Sequence, residues 1–492
     1  MFSSVRDEGP LVLPRSDSSP DPAGPSGDHA IPIAREHLAA LDGIRFFAAF
    51  CVLLGHGYWY VVLRQTMPSP PGPISLLMLS LPGPGMTLFF VLSGFVIHFN
   101  YQRTVSVGWS GTFDFFIARF SRLYPLFLVV FAIDFFHLFR LQGYLSGRPQ
   151  LDFDLFGPLP FFLSFTQTWL FIPFNGYPIY EHYGTLTGNA QATGAMWSLS
   201  TEWLFYAAYP WLSGWLSRRH GRQLAIVAAI VAGAGVVYCV WSAYNIPNIQ
   251  SFGLAHFGTP VLAQSFQTWV TFYSPVERML EFLLGAIAAQ QYSSISSPAG
   301  PTARWPAAST TAVAAVFVIW IAVTAITRVN MSAVNASAAA SLVAGLVLLV
   351  ARHPTWISRV LSWPVLVKCG EASYSLYLLH WYTMHQWAAP YAGQLEKLGR
   401  QGVFLIGVVV SIAISRVVYL WVERPALKWL RVNFRPLKLH IALGLAFVII
   451  TFFSVVASLQ IQAVKRSRAP SATASPAPVA EIQQPAADTS LR

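Results

Sequence analysis

Two ionisable residues, Arg45 and His56, interrupt the apolar stretch "LDGIRFFAAFCVLLGHGYWY" at 41–60. Ten residues lie between them, so eleven steps of about 100° carry one to the other. That is close to three full turns, which puts both side chains on one stripe of a helix, about 16 Å apart along its axis. Gly55, beside the histidine, leaves room for another group to approach. A histidine in a water-poor site suits a general base or a nucleophile. An arginine nearer the membrane edge suits an anion. The same two residues would equally serve as an interfacial anchor and an interhelical hydrogen bond, and spacing alone does not separate these roles.

Further charged and small polar residues punctuate other apolar stretches. In "FFVLSGFVI" (89–97), Ser93 and Gly94 form a small polar break suited to close helix packing. In "ARFSRLYP" (118–125), Arg119 and Arg122 stand three apart on one helix face, a spacing that suits phosphate recognition as well as ordinary anchoring. "MWSLSTEWLFYAAYP" (196–210) carries Trp197, Ser198, Ser200 and Glu202. Glu202 begins an apolar helix there, placed on the outer side by the loop charges. It could orient an acceptor hydroxyl or the histidine, or simply complement the helix dipole. Arg278 and Glu281 in "VERMLEFLLG" are spaced for a salt bridge inside the bundle or a substrate contact. Tyr374 and His380 lie in "GEASYSLYLLHWYTMHQW" (370–387), where His380 reads as a second functional histidine or a satisfied core residue. Glu423 in "VERP" reads as a structural lock.

These residues need apolar helices to hold them. The chain has 492 residues, 54% hydrophobic and 10% charged, with a mean hydropathy of +0.51. Soluble domains carry roughly 25% charge. The pattern is that of an all-α, polytopic membrane helix bundle. Ten spans are expected near 41–63, 76–99, 122–141, 196–216, 223–242, 276–291, 311–328, 335–351, 374–390 and 402–422. With the N-terminus cytoplasmic, this count puts the basic loop "RRHGR" (218–222) and the segment 422–438 inside, and leaves the Lys- and Arg-free stretch 243–275 outside. The apolar stretch 155–173, broken by Pro158, Pro160 and Pro173, is therefore expected to be re-entrant or interfacial. Residues 37–438 form the membrane domain, with an extra helix at 439–460. Residues 1–36 and 461–492, rich in Pro, Ser and Ala, read as disordered tails.

The net charge of +11 sits in short loops, which is loop-charge bias and not a nucleic-acid surface. The three cysteines, Cys51, Cys239 and Cys369, have no metal-ligand spacing, and no zinc, phosphate-loop or dinucleotide motif occurs. No metal is expected.

Six of these segments, in order, resemble the acyltransferase-3 family of integral-membrane O-acyltransferases, which modify bacterial surface polysaccharides and some macrolides. They are the arginine–ten–histidine spacing, "FFVLSGFVI", the double arginine before "LYP", "WSLSTEWLFY", "RMLEFLLG" and "SYSLYLLH". The likeness spans roughly residues 38–430 and implies a ten-helix core in a bacterial inner membrane. It implies acyl-CoA, with acetyl-CoA the expected form, as co-substrate, and a hydroxyl of a carbohydrate or glycoside as acceptor. His56 would match the family's essential histidine, Arg45 its partner, and Arg119 and Arg122 the pair linked to donor binding. Ser93 is expected near the donor. Trp197, Ser198, Arg278, Glu281, Tyr374 and His380 are expected on the acceptor side or in structural roles. The rival class is a transporter or flippase of glycolipid precursors, which would also keep ionisable groups around a midplane cavity.

Overall fold

The computed structural model describes residues 31–63, 72–138, 157–183, 192–294, 304–327, 336–395 and 398–433. The helix expected at 439–460 and the C-terminal tail lie outside them, as does the N-terminal tail up to residue 30.

The expected spans up to residue 422 all fall on helices. They are α1 (Ile31–Tyr58), α2 (Pro82–Val105), α3 (Trp109–Leu138), α4 (Trp197–Leu216), α5 (Arg222–Tyr244), α6 (Pro275–Ser294), α7 (Arg304–Thr327), α8 (Ala336–Arg352), α9 (Ser373–Trp381) and α10 (Gly399–Val418). In hydrocarbon each backbone amide must find its partner within the chain, and a helix supplies that partner locally. Six described stretches are long and apolar enough to cross a bilayer: Ala39–Leu63, Pro73–Val105, Trp109–Phe135, Arg222–Tyr244, Pro306–Ile326 and Gly399–Leu430. Just beyond their histidines, α1 and α9 pass into π-helical turns, Trp59–Leu63 and Tyr382–Ala388. Such turns reset the side-chain register of a helix.

Residues 157–183 form no spanning helix. A single turn, Leu159–Leu163, leads to a two-residue strand pair in which Phe174 faces Tyr177. The connecting Asn175 and Gly176 both have positive φ, 48° and 84°, the backbone that a tight hairpin needs. Phe162 and Phe165 from this segment fill the aromatic core against Phe127 and Phe131 of α3. The three prolines that broke the apolar pattern thus turn the chain back into the bundle.

Helices α2 and α6 cross in close backbone contact. A Cβ on Gly94 would stand 2.0 Å from the Phe282 carbonyl oxygen, and one on Gly285 would stand 1.9 Å from that of Val91. Hydrogen at both positions is what lets the backbones touch. Beside this crossing Arg278 and Glu281 form an ion pair of 2.8 Å, both fully buried. Thr87 of α2 donates to Glu281 at 3.0 Å, and the Arg278 Nε donates to the Phe272 carbonyl at 3.1 Å. The pair therefore ties α6 to α2. Glu281→Ala would break this buried pair and leave Glu277 as the remaining carboxylate near Arg278, and is expected to cost about 3 kcal/mol of stability. A thermal melt in detergent measures it; an unchanged midpoint would mean the pair is not a lock.

Candidate active site

A cavity of about 110 Å³ opens within the bundle. Its lining includes Arg45 of α1, Ser93 of α2, Arg119 and Arg122 of α3, Ser198 and Glu202 of α4, and Tyr374 and Tyr377 of α9. Residues scattered over more than 330 sequence positions thus converge because five helices each turn one or more polar positions inward. On α2 the small pair divides its work. Ser93 faces the cavity and donates to Glu202 Oε1 at 2.7 Å, while Gly94 makes the crossing with α6.

The three arginines differ in how they are held. Arg45 pairs with Asp42, one turn earlier on α1, at 2.5 Å. The Arg119 Nη2 donates to the Tyr101 hydroxyl at 2.5 Å, with the guanidinium 4.4 Å from that ring's centroid. Its Nε is buried and without a partner among the described residues. Arg122 has no hydrogen bond or ion pair among the described residues, although it lines the cavity. Glu202 is the single carboxylate in the lining, against three guanidinium groups. With Arg45 already paired to Asp42, the charge that the lining offers an anion is that of Arg119 and Arg122 against Glu202.

Glu202 lies in the second turn of α4, which begins at Trp197, and lines the cavity with the three arginines.

His56 does not line the cavity. Its Nδ1 lies 2.9 Å from the Nε2 of His380, with the two rings 16° from coplanar. The Nδ1 of His380 lies 2.5 Å from the Tyr377 carbonyl oxygen. A carbonyl oxygen only accepts, so His380 Nδ1 carries the proton. With both rings neutral, His380 Nε2 is then an acceptor, and His56 Nδ1–H donates to it. The His56 Nε2 is left as a free lone pair, with no hydrogen-bond partner among the described residues. An aligned imidazole with a fixed tautomer and an open nitrogen is what general-base catalysis requires. Gly55 lets α1 approach close enough to meet the Pro82 ring, since a Cβ there would stand 2.4 Å from it.

Tyr377 joins the two centres. Its ring lines the cavity, and its carbonyl ends the histidine relay. Its hydroxyl accepts from Ser198 Oγ at 2.8 Å and donates to the Ala195 carbonyl at 2.9 Å. Ser198 thus positions Tyr377, while Trp197 packs on Phe272 and Tyr273 behind it. Tyr374 donates to the Leu123 carbonyl at 2.7 Å and closes the wall beside Arg122. Glu423, at the end of the π-helical turn Tyr419–Glu423 that follows α10, accepts from Ser375 at 2.7 Å and joins that turn to α9. Trp381 stacks on His56, 5.1 Å between centroids, on the flank where Tyr60 and His385 also cluster. Ser373, which the sequence offered in the same stretch as Tyr374, lines the cavity with a buried hydroxyl that has no partner among the described residues, whereas Tyr377 and Trp381 were not singled out from the sequence. The i, i+3 spacing of Tyr377 and His380 was the available signal. Among the described residues no three His, Cys, Asp or Glu side chains are grouped to hold a metal ion.

The fold and cavity define a polytopic α-helical membrane protein with an arginine-lined interior site. A family model described as an acyltransferase domain matches residues 38–420, and the chain belongs to the acyltransferase-3 family. It is similar to Nodulation protein 10 of Rhizobium leguminosarum bv. viciae, 25% identical over 422 residues, covering 85% of this chain and 100% of that protein. It is also similar to the acyltransferase MdmB of Streptomyces mycarofaciens, 27% identical over 412 residues, covering 80% of this chain and 92% of MdmB. Protein 2 in the picA locus of Rhizobium radiobacter is 30% identical over 202 residues, 40% of this chain and 92% of that protein. No solved structure matches the chain.

Proposed function

We propose that this protein is an O-acyltransferase of a bacterial plasma membrane that moves an acyl group, acetyl in the simplest case, from acyl-CoA to a hydroxyl of a carbohydrate or glycoside. The observation that carries this reading is the Arg122 guanidinium, without a hydrogen bond or ion pair among the described residues, in a cavity shared with Arg45 and Arg119 and linked through Tyr377 to a histidine relay with a free basic nitrogen. A long, thin donor with an anionic end and a reactive end fits that arrangement. Its phosphates are held by the arginines, and its thioester is carried past Tyr377 towards His56. The axial distance of about 16 Å between Arg45 and His56 suits such a ligand.

In the reaction, His56 Nε2 takes the proton of the acceptor hydroxyl as the oxygen attacks the thioester carbonyl carbon. The carbon–sulfur bond breaks, and the departing thiolate takes the proton back from His56, giving the ester and free CoA thiol. His380 orients the base, and the Tyr377 carbonyl supports the charge that forms on the pair. Glu202, held by Ser93, offsets part of the arginine charge so that the donor is bound without being trapped.

Arg122→Ala is expected to raise the apparent donor KM about tenfold or more, since a hydrogen bond to a charged group is worth about 1.5–3 kcal/mol. The acceptor KM should change little. Arg119→Ala should act in the same direction. Initial rates of CoA thiol release at varied acyl-CoA measure both, and an unchanged donor KM in Arg122→Ala would remove the cavity from donor binding.

A further inference from the structure

Helices α4 and α5 are consecutive and joined by a turn over 217–221. Helices connected so tightly ordinarily pack side by side. Here the two barely touch, and each leans on α6 instead. The space between them is a groove lined by Trp211, Gly214, Trp215, Arg218, Arg219 and Ile226, among others. A Cβ on Gly214 would meet nothing within 4 Å, so the floor of the groove is open. Its apolar walls are unpartnered, with Trp211 74% exposed and Ile226 50% exposed.

The mouth of the groove is cationic. Arg218 is exposed and has no hydrogen bond or ion pair among the described residues. The Arg219 guanidinium lies 3.5 Å from the centroid of the Trp215 ring and donates to the Trp215 carbonyl. No Asp or Glu occurs between Glu202 and Glu277, so no acidic residue of the chain segment that forms the groove neutralises these charges.

We infer that this groove binds one anionic phospholipid, with its phosphate on Arg218 and Arg219 and its acyl chains along Trp211, Gly214 and Ile226. The walls would accept the chains of any phospholipid. The mouth selects charge, because the ammonium of a zwitterionic headgroup meets arginines and finds no carboxylate among the residues that line the groove. The site is separate from the arginine-lined cavity and does not depend on the proposed reaction.

The test uses the full chain in nanodiscs made of equal parts phosphatidylglycerol and phosphatidylethanolamine, released and read by native mass spectrometry. The wild type should retain phosphatidylglycerol preferentially. Arg218→Gln should reduce that retention about fivefold, as expected for one arginine at a lipid headgroup. Gly214→Leu, which fills the floor without changing charge and without a clash, should reduce retention of the lipid altogether. Equal retention of both lipids by the wild type, or wild-type retention in both variants, would overturn the inference. So would full displacement of the lipid by soluble glycerophosphoglycerol, since that would mean the arginines read a free phosphate and the groove contributes nothing.

Discussion

Replacing His56 with alanine is expected to lower the rate of acyl transfer roughly 10²- to 10⁴-fold, the range that a positioned general base contributes. The loss should fall on kcat. The donor KM should stay near its wild-type value, because the arginine cavity does not include His56. His56→Gln is the sharper variant. Its amide can still donate to His380 Nε2, so the helix pair stays satisfied, but it cannot take a proton. A near-normal rate in the glutamine variant would remove His56 from the chemistry. His380→Gln should give a smaller loss, also confined to kcat, because it disturbs the orientation of the base and not the base itself. A donor KM that rose instead would mean that His380 shapes the cavity through Tyr377.

The second large effect concerns assembly. Gly285→Val would place its Cβ 1.9 Å from the Val91 carbonyl oxygen, a backbone atom that cannot swing aside as a side chain can. Either α2 and α6 separate or the variant does not fold. Separation would also pull Thr87 from Glu281 and leave the buried Arg278 pair short of a donor. The cost is expected to exceed about 3 kcal/mol, the upper part of the usual overpacking range. Fluorescence-detected size exclusion of the tagged protein reads this directly, with a broad or absent main peak expected. Gly345→Ala in α8 is the control, since a Cβ there meets nothing within 4 Å. A sharp wild-type peak for Gly285→Val would show that the crossing is looser than the atoms indicate.

Hydropathy located the helices because burial in lipid acts on each helix separately and leaves its mark in local sequence. The prolines at 158, 160 and 173 marked the break in the same local way. The site was legible in its parts. Arg45, Ser93, Arg119, Arg122, Ser198, Glu202 and Tyr374 all meet at one cavity. What could not be read was which part meets which. His56 and His380 are 324 positions apart, and their contact depends on the packing of α1 against α9, which no local pattern encodes. One stripe of α1 carries Arg45 and His56, yet neighbouring helices divide that stripe. α2, α3 and α4 enclose the arginine, and α9 takes the histidine. The Arg278–Glu281 pairing was legible because both partners lie within one turn of a single helix.

The central claim is transfer of the acyl group from CoA to a hydroxyl, driven by the His56 relay. Purified wild-type protein and His56→Gln, reconstituted in liposomes, should be given acetyl-CoA labelled in the acetyl group together with a methyl glycoside acceptor. Labelled O-ester on the glycoside is expected, with one CoA thiol released per ester formed, and no more than background ester from the variant. Ester formed at the same rate by His56→Gln, or folded wild-type protein that makes no ester from acetyl-CoA with any hydroxyl acceptor offered, would contradict it.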